Sequence, residues 1–533
     1  MPPPPFVGSG SSARGRACLV TFKGTLYDYQ AEAVEKMVDR GQMLLGMVMG
    51  AGKTPTALAA VEELDDMGEV DRCLVVVPAS LKYQWLKEIK KFTDARAIVI
   101  SGTKAQRQRQ WRMASLHKYV IVNAETLLND HTLMGSFQCI VVDEATIIKN
   151  RIAKRSRLIK KIGKAIPYRF ALTGQPIENR PEELFSIMEF VDKSVLGDFK
   201  RFDTTFIIRD NWGKATRYRN LDVMHRSMQD CMIRKTRDDI KDQLPDIIHQ
   251  VIPVPFDPKG AAVYRKISQD LLAKLYEAIK EGGSGFNLWA HYNSNEGGEA
   301  QGQIMTRMTA LRMLCDNPSL VKNSAADYDN PRVTSGSQYA SEIVKAGWMT
   351  GVDATPKLDV CLDYIQEVLS ESEENKVVLF SFFKDNLRTI KANLSAMGIS
   401  SVLFMGGMSD AEKNNAKEKF STDPHVKVFL SSDAGGYGVD LPVANYLISY
   451  DLPWSSGKLE QREARIIRLS SEFPHVTITS FVMAGSLEER QYEMLQLKKK
   501  TNEAFIDGQH HDQERGMEID VSTLTTFLQE SQV

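Results

Sequence analysis

Leu44-Leu45-Gly46-Met47-Val48-Met49-Gly50-Ala51-Gly52-Lys53-Thr54 is the stretch on which the fold turns. Leu44 to Val48 can form a buried strand, and Ala57 to Leu64 carries a helical pattern, so the order is strand, glycine-rich turn, helix. A bound phosphate asks for backbone N–H groups aimed at it, which small residues permit, and for a helix N-terminus. It also asks for a lysine near its β and γ oxygens and a hydroxyl for Mg²⁺. Gly50, Ala51, Gly52, Lys53 and Thr54 supply these parts. The strict pattern has a glycine where this chain has Met47, so the match is a relaxed one, and a flexible turn with a surface lysine is the alternative.

The second decisive stretch is Ile140-Val141-Val142-Asp143-Glu144-Ala145-Thr146, an apolar strand that delivers two acids to its carboxyl end. Open parallel sheets bind ligands at that end. Asp143 is suited to hold Mg²⁺, directly or through water, and Glu144 to orient and deprotonate an attacking water. Standing alone, the pair reads equally well as an ordinary exposed strand end; behind a phosphate loop it reads as chemistry.

Working outward, short β-branched runs recur between helical patterns. They are Leu74 to Val77, Cys139 to Val142 and Phe170 to Leu172, then Val377 to Phe380, Val428 to Leu430 and Tyr446 to Ile448. Strands apolar on both faces and separated by helices predict parallel sheets of an α/β protein, in two clusters. Between the clusters, from about 256 to 355, helical patterns give way to loop signals. Glu281 to Gly285, Asn295 to Gly298 and the Gly-, Ser-, Asp- and Asn-rich run Asn323 to Thr355 read as loops or linkers.

With 533 residues, 43% of them hydrophobic, the chain can bury two or three domain cores and is no single small binding module. Lysines and arginines number 67 against 68 acids, which excludes a uniformly basic binder and makes any nucleic-acid site a local patch. Cys18, Cys73, Cys139, Cys231, Cys315 and Cys361 are too scattered for a zinc site or a disulfide framework, and read as reduced thiols. No apolar run reaches the roughly 18 residues that span a bilayer. The expected setting is soluble and without membrane: cytoplasmic in a bacterium or phage-infected cell, nuclear in a eukaryote.

Seven segments fall in a fixed order. Leu26-Tyr27-Asp28-Tyr29-Gln30 precedes the phosphate loop, and Val77-Pro78-Ala79-Ser80-Leu81-Lys82 and the Asp143 segment follow it. Then come Leu172-Thr173-Gly174-Gln175-Pro176-Ile177-Glu178-Asn179, Leu379-Phe380-Ser381-Phe382, Ser432 to Leu441, and Gln461-Arg462-Glu463-Ala464-Arg465-Ile466-Ile467-Arg468. The set resembles the superfamily 2 helicase-like ATPases. Thr173 to Asn179, Ala434-Gly435-Gly436 and Asp451-Leu452-Pro453-Trp454 point to their Swi/Snf-type DNA translocases. The resemblance covers about residues 24 to 500 and suggests a minimal motor. Thr146, Gln175 and Ile467 stand where relatives usually have His, Thr and His, positions that resemble the relay between nucleotide and DNA.

The resemblance implies an α/β fold of two RecA-like lobes with parallel sheets and helical protrusions inserted between the lobes. The implied layout is a tail at 1–20, lobe 1 at 21–250 with a protrusion at about 191–240, and a helical protrusion and linker at 251–355. Lobe 2 then covers 356–508, and a tail covers 509–533. The resemblance further implies that ATP is bound by Gln30, which would read the adenine edge, by Gly50, Ala51, Gly52, Lys53 and Thr54, and by Gly438, Asp440 and Gln461. It implies that Lys53, Asp143, Glu144, Arg465 and Arg468 are catalytic, with the two arginines able to share one helical face, and that Thr54 and Asp143 hold Mg²⁺. Double-stranded DNA is the implied partner, gripped without base reading by Ser80, Lys82, Lys149, Asn150, Ser381, Ser432 and Trp454. Repair, recombination or replication factors are further possible partners of a chain expected to be monomeric.

Two basic runs add to that surface. Lys149 to Lys164 holds Arg151, Lys154, Arg155, Arg157, Lys160 and Lys161 with no acid between, and Lys104 to Arg112 interleaves basic residues with Trp111. On a helix Lys154, Arg157 and Lys161 share one face, and Arg155 diverges from it. The leading expectation is ATP-driven movement along duplex DNA that remodels protein–DNA complexes or branched DNA. The alternatives are a strand-separating DNA or RNA helicase and an ATP-gated scaffold with weak hydrolysis.

Overall fold

The computed structural model describes residues 21–506 apart from 178–179, 210–214, 283–298 and 434–438, together with 513–514, 525 and 528. The chain divides into two compact units. One comprises Met1–Leu44, Gly52–Glu144 and Ala153–Leu172; the other comprises Leu45–Ala51, Ala145–Ile152 and Thr173–Val533.

The first sheet draws on β1 (Gln42–Met47), β2 (Cys73–Val76), β3 (Ala97–Val99), β4 (Tyr119–Val122), β5 (Cys139–Asp143) and β6 (Tyr168–Leu172). A small antiparallel pair follows, β7 (Ile207–Arg209) and β8 (Ala215–Tyr218), and then β9 (Met232–Lys235). The seven-stranded order is β3-β4-β2-β5-β6-β1-β9, with parallel pairing from β3 through to β6. Every residue of β2, β4 and β5 is buried, as continuous apolar strands covered on both faces must be. The register sets Cys73 opposite Cys139, two buried free thiols far apart in sequence.

The second sheet holds β10 (Asp246–Val254), β11 (Val377–Phe380), β12 (Ser400–Phe404), β13 (Val426–Ser431), β14 (Tyr446–Ser449) and β15 (His475–Met483). Its order is β10-β15-β14-β11-β13-β12, parallel at every pair. All six expected strands, and the one expected before the phosphate loop, are present within two residues of the expected bounds. The two RecA-like lobes are thus two parallel sheets with helical crossovers. In the stretch expected as a protrusion at 191–240 lie the helices Lys193–Leu196, Phe199–Phe206 and Leu221–Met228, besides β7, β8 and β9.

The loop reading of Asn323 to Thr355 is corrected. Pro318–Asp329 and Gln338–Lys345 are helices, and Val321, Ala325, Tyr339, Ala340, Ile343, Met349 and Val352 join one buried cluster with Val377, Leu379, Ile448 and Phe481 of the second sheet. The polar residues that suggested a loop lie largely on the outer faces. Asn317 accepts from the Ser319 N–H at 2.9 Å and Pro318 takes the first turn, so the helix start is encoded after all. The boundary drawn between 250 and 251 falls inside β10. Glu281 and Gly282 end the helix Pro258–Gly282; the rest of that loop signal, Asn295 to Gly298 included, and nearly all of both tails lie outside the described residues. Among the described residues no helix is long and apolar enough to cross a membrane.

Candidate active site

Gly50 and Gly52 have φ of 85° and 75°, a region that costs a Cβ-bearing residue strain, which is why the turn after β1 is written in small residues. Gly52 caps the helix Lys53–Asp66, placing Lys53 and Thr54 in a first turn whose N–H groups have no intrahelical acceptor. Thr56 closes that turn, its N–H and Oγ1 donating to the Gly52 carbonyl at 3.2 and 2.9 Å. Gln30 lies against the same glycine. Its Oε1 accepts the Tyr27 N–H at 3.0 Å, and its Nε2 stands 2.3 Å from where a Cβ on Gly52 would be. A side chain at 52 would therefore be strained by the backbone and would have to displace the Gln30 amide.

Asp143 ends β5 and is buried. Its Oδ2 accepts the Trp85 indole N–H at 2.7 Å and its Oδ1 accepts the Glu144 N–H at 2.9 Å. Burial pushes the Asp143 carboxyl up, opposed by the Trp85 N–H, the Lys53 charge and the Glu144 N–H. Glu144 has φ of 49°, one of two non-glycine residues with positive φ among the described residues. Such a conformation persists where the surroundings impose it, commonly at working sites. Lys53, Thr54, Gln30, Asp143 and Glu144 all belong to the first unit. Among the described residues no group of three or more His, Cys, Asp or Glu is placed to hold a metal by itself. One buried carboxylate with a threonine hydroxyl instead fits Mg²⁺ that completes its shell with water and phosphate oxygens.

In the second unit the helix Ser456–Glu463 stops before the arginines, so the single helical face expected for Arg465 and Arg468 is corrected. The Arg465 N–H bonds the Arg462 carbonyl at 3.0 Å, a tighter turn, and the Arg465 carbonyl accepts the Leu441 N–H at 2.9 Å. Arg465 is buried and Arg468 forms an ion pair with Asp440. Gln461 is half-buried near the end of the helix, and Gly438 lies outside the described residues. Arg462 is a structural arginine: buried, it grips both Asp433 oxygens at 2.6 and 2.9 Å and the Asp451 carbonyl at 2.5 Å.

The expected DNA grips divide. Ser80 is exposed on the turn Ala79–Leu81. Lys82 is buried, with its ammonium donating to the Ile100 carbonyl at 3.4 Å and to Asn123 Oδ1 at 3.3 Å. Ser381 is buried and donates to Asp451 Oδ2 at 2.6 Å; Ser432 is buried and accepts the Gly406 N–H at 3.1 Å. For these three the structure shows internal bonds in place of a surface contact. Asn150 is exposed and accepts the Ile152 N–H, a turn bond, and Lys149 pairs with Glu183 at 3.5 Å. Trp454 is half-buried with the Arg312 guanidinium 5.6 Å from its ring centre.

The basic runs also divide. On the helix Lys154–Lys164, Ser156, Ile159 and Gly163 face inward and Lys154, Arg157 and Lys161 are exposed together. Arg155 points elsewhere and pairs with Glu125 at 3.2 Å. On the helix Lys104–Met113, Trp111 is buried and Arg107 pairs with Asp130 at 2.7 Å, so this run serves the fold in part. Two residues escaped the sequence reading, Trp85 and Arg312. Trp85 lies just beyond the Val77 to Lys82 segment and Arg312 outside all seven segments, and nothing in sequence reveals which polar atom each one meets.

Residues 29–320 match the SNF2-related domain and residues 357–470 match the helicase conserved C-terminal domain. The chain is 25% identical over 96% of its length to an uncharacterized ATP-dependent helicase, YqhH, of Bacillus subtilis, covering 89% of that protein. It is 26% identical over 88% of its length to a DNA repair and recombination protein, RAD54-like, of Gallus gallus, covering 64% of it. Several other relatives are longer still, so the chain spans half or less of their length. The Pyrococcus furiosus Hef helicase domain shares the fold, with a TM-score of 0.52 at 14% identity over 87% of this chain and 97% of that one.

Proposed function

The chain belongs to the SNF2-related, Swi/Snf-type family of helicase-like ATP hydrolases, and from that premise we propose that it spends ATP on movement along double-stranded DNA. The observation that carries the DNA half of this reading is the helix that follows the Asp143 strand end: Lys154, Arg157 and Lys161 stand exposed together on it, and among the described residues none of them has an ion pair. Three like charges held on one rigid face, unanswered by the fold, suit a polyanion with regularly spaced phosphates. Ser80 adds an exposed hydroxyl on a neighbouring motif. The name of the RAD54-like relative, a DNA repair and recombination protein, favours DNA over RNA.

In the proposed chemistry Lys53 and the first-turn N–H groups bind the β and γ phosphates. Thr54 and Asp143 would hold Mg²⁺, which when bound would neutralise charge on the phosphates. Glu144 orients the attacking water and takes its proton, and Arg465 and Arg468 stabilise charge on the transferred phosphoryl group. Backbone phosphates carry no base identity, so every duplex sequence should serve alike.

The test is the ATPase rate with no nucleic acid, single-stranded DNA, duplex DNA, forked DNA and RNA. Stimulation by duplex DNA above the others is expected. A preference for single strands or RNA would favour strand separation, and an unstimulated, slow rate would favour an ATP-gated scaffold.

A further inference from the structure

Trp85 lies on the helix Lys82–Phe92, yet its one polar atom is spent inside the nucleotide site, on Asp143 Oδ2 at 2.7 Å. Both residues are buried, at 2% and 7% exposure, so water does not compete for the bond. A hydrogen bond to a charged group is stronger than one between neutral groups, enough to select a side-chain rotamer. With Oδ1 held by the Glu144 N–H at 2.9 Å and Oδ2 by the indole, the Asp143 carboxylate is fixed about its terminal torsion. Each oxygen keeps a further lone pair for another ligand.

The same helix starts directly after the exposed turn Ala79–Leu81. Lys82 bolts its first turn to the Ile100 carbonyl and Asn123, and Ile89 is buried one helical turn beyond Trp85. A helix held at both ends is stiff, so the Ala79–Leu81 turn has a short, rigid path to the Trp85 indole and through it to Asp143. All of these residues lie in the first unit.

We propose that Trp85 is a positioning residue that holds the Asp143 carboxylate in the rotamer that takes Mg²⁺, and that through its helix it ties this rotamer to whatever binds the Ala79–Leu81 turn. The inference rests on the reading of Asp143 as a Mg²⁺ holder. Duplex DNA at the turn would thereby be felt as a change in metal affinity at the nucleotide.

The experiment uses the full chain, as unaltered protein, Trp85→Phe and Asp143→Asn. Binding of a fluorescent ADP is followed without metal and across a Mg²⁺ titration, with and without duplex DNA. Removing a partner that orients a metal ligand typically costs about 10–100-fold in metal affinity. Trp85→Phe should therefore keep the metal-free ADP affinity and raise the half-saturating Mg²⁺ concentration by about tenfold or more. In the unaltered protein duplex DNA should shift that concentration, and in Trp85→Phe the shift should vanish.

If Asp143→Asn leaves the Mg²⁺ dependence intact, the reading of Asp143 fails. If Asp143→Asn loses it and Trp85→Phe does not, the Trp85 proposal alone fails. A duplex that moves nothing in the unaltered protein overturns the link to the turn. Where Trp85→Phe gives no cooperative melt, the indole N–H resonances of the unaltered protein decide. One of the six tryptophans must respond when Mg²⁺ joins bound ADP, and six unmoved signals overturn the proposal.

Discussion

Asp143 in the first unit and Asp316 in the second are both buried aspartates whose carboxyl groups burial pushes up. Around Asp316 the fold supplies a cation: the buried Lys357 ammonium lies 2.8 Å from its Oδ1 and 2.8 Å from Glu488, while its Oδ2 is buried without a hydrogen-bond partner. Burial acts to lower the Lys357 pKa, but the two carboxylates beside it win and hold it above its ordinary value. Around Asp143 there is no ammonium in contact, but each oxygen accepts an N–H, with the field of Lys53 behind them. One buried acid is tied to a cation of the fold, and the other is held by N–H donors, as the proposed Mg²⁺ site requires. The contrast recurs at the surface: Arg107 is consumed by Asp130, whereas Lys154, Arg157 and Lys161 stand exposed together, the face to which the proposal assigns DNA.

The largest expected effect tests the nucleotide side of the comparison. Glu144→Gln should cut hydrolysis by about 10²–10⁴-fold with ATP still bound, because the base is needed only in the chemical step. Lys53→Ala should lose nucleotide binding as well. Near-normal turnover by Glu144→Gln would break the assignment.

Next, Lys357→Met should destabilise the protein by about 3–5 kcal/mol in urea unfolding, since it strands buried carboxylates without their cation. Asp143→Asn should leave the unfolding midpoint almost unchanged while stopping Mg²⁺-dependent turnover. Equal stability losses in the two variants would erase the distinction between the two acids.

At the surface, alanine at Lys154, Arg157 and Lys161 together should flatten the plot of log duplex affinity against log salt by about 0.9 for each true contact. Basal ATPase should persist, and more DNA should be needed for stimulation. An unchanged slope in the folded variant would return this face to ordinary solvated surface. The smallest effect is expected of Arg107→Ala, about 1–2 kcal/mol of stability from the charged hydrogen bonds to Asp130. Its salt slope should match the unaltered protein, and a flattened one would reverse the ranking of the two basic helices.

The strands that carry the nucleotide site were legible because each is a short, wholly apolar run ending in a chemical marker, Gly50 to Thr54 after β1 and Asp143 after β5. β10 was not, because as an edge strand it is largely exposed and alternates no clear face, and β12 opens on two serines. The helices of 318–345 were hidden by composition, since Ser, Asp and Asn on an outer face look like a linker until the apolar residues are matched to a core. For the site, residue types and order were readable, but bond partners were not. Lys82, Ser381 and Ser432 carry surface chemistry in sequence and internal bonds in space, because their partners Asn123, Asp451 and Gly406 come from elsewhere in the chain.

The nine-residue ladder of β10 and β15 joins segments 229 residues apart along the chain. On the ribosome, at about 5–20 residues per second, β10 emerges roughly 10–45 seconds before the strand it must lie beside. The sheet cannot close in that interval, and Ile248 and Val251, exposed even in the finished protein, stand on an unpaired edge. Refolding of the second unit should accordingly be slow and concentration-sensitive, and its nascent chain a client for holding chaperones.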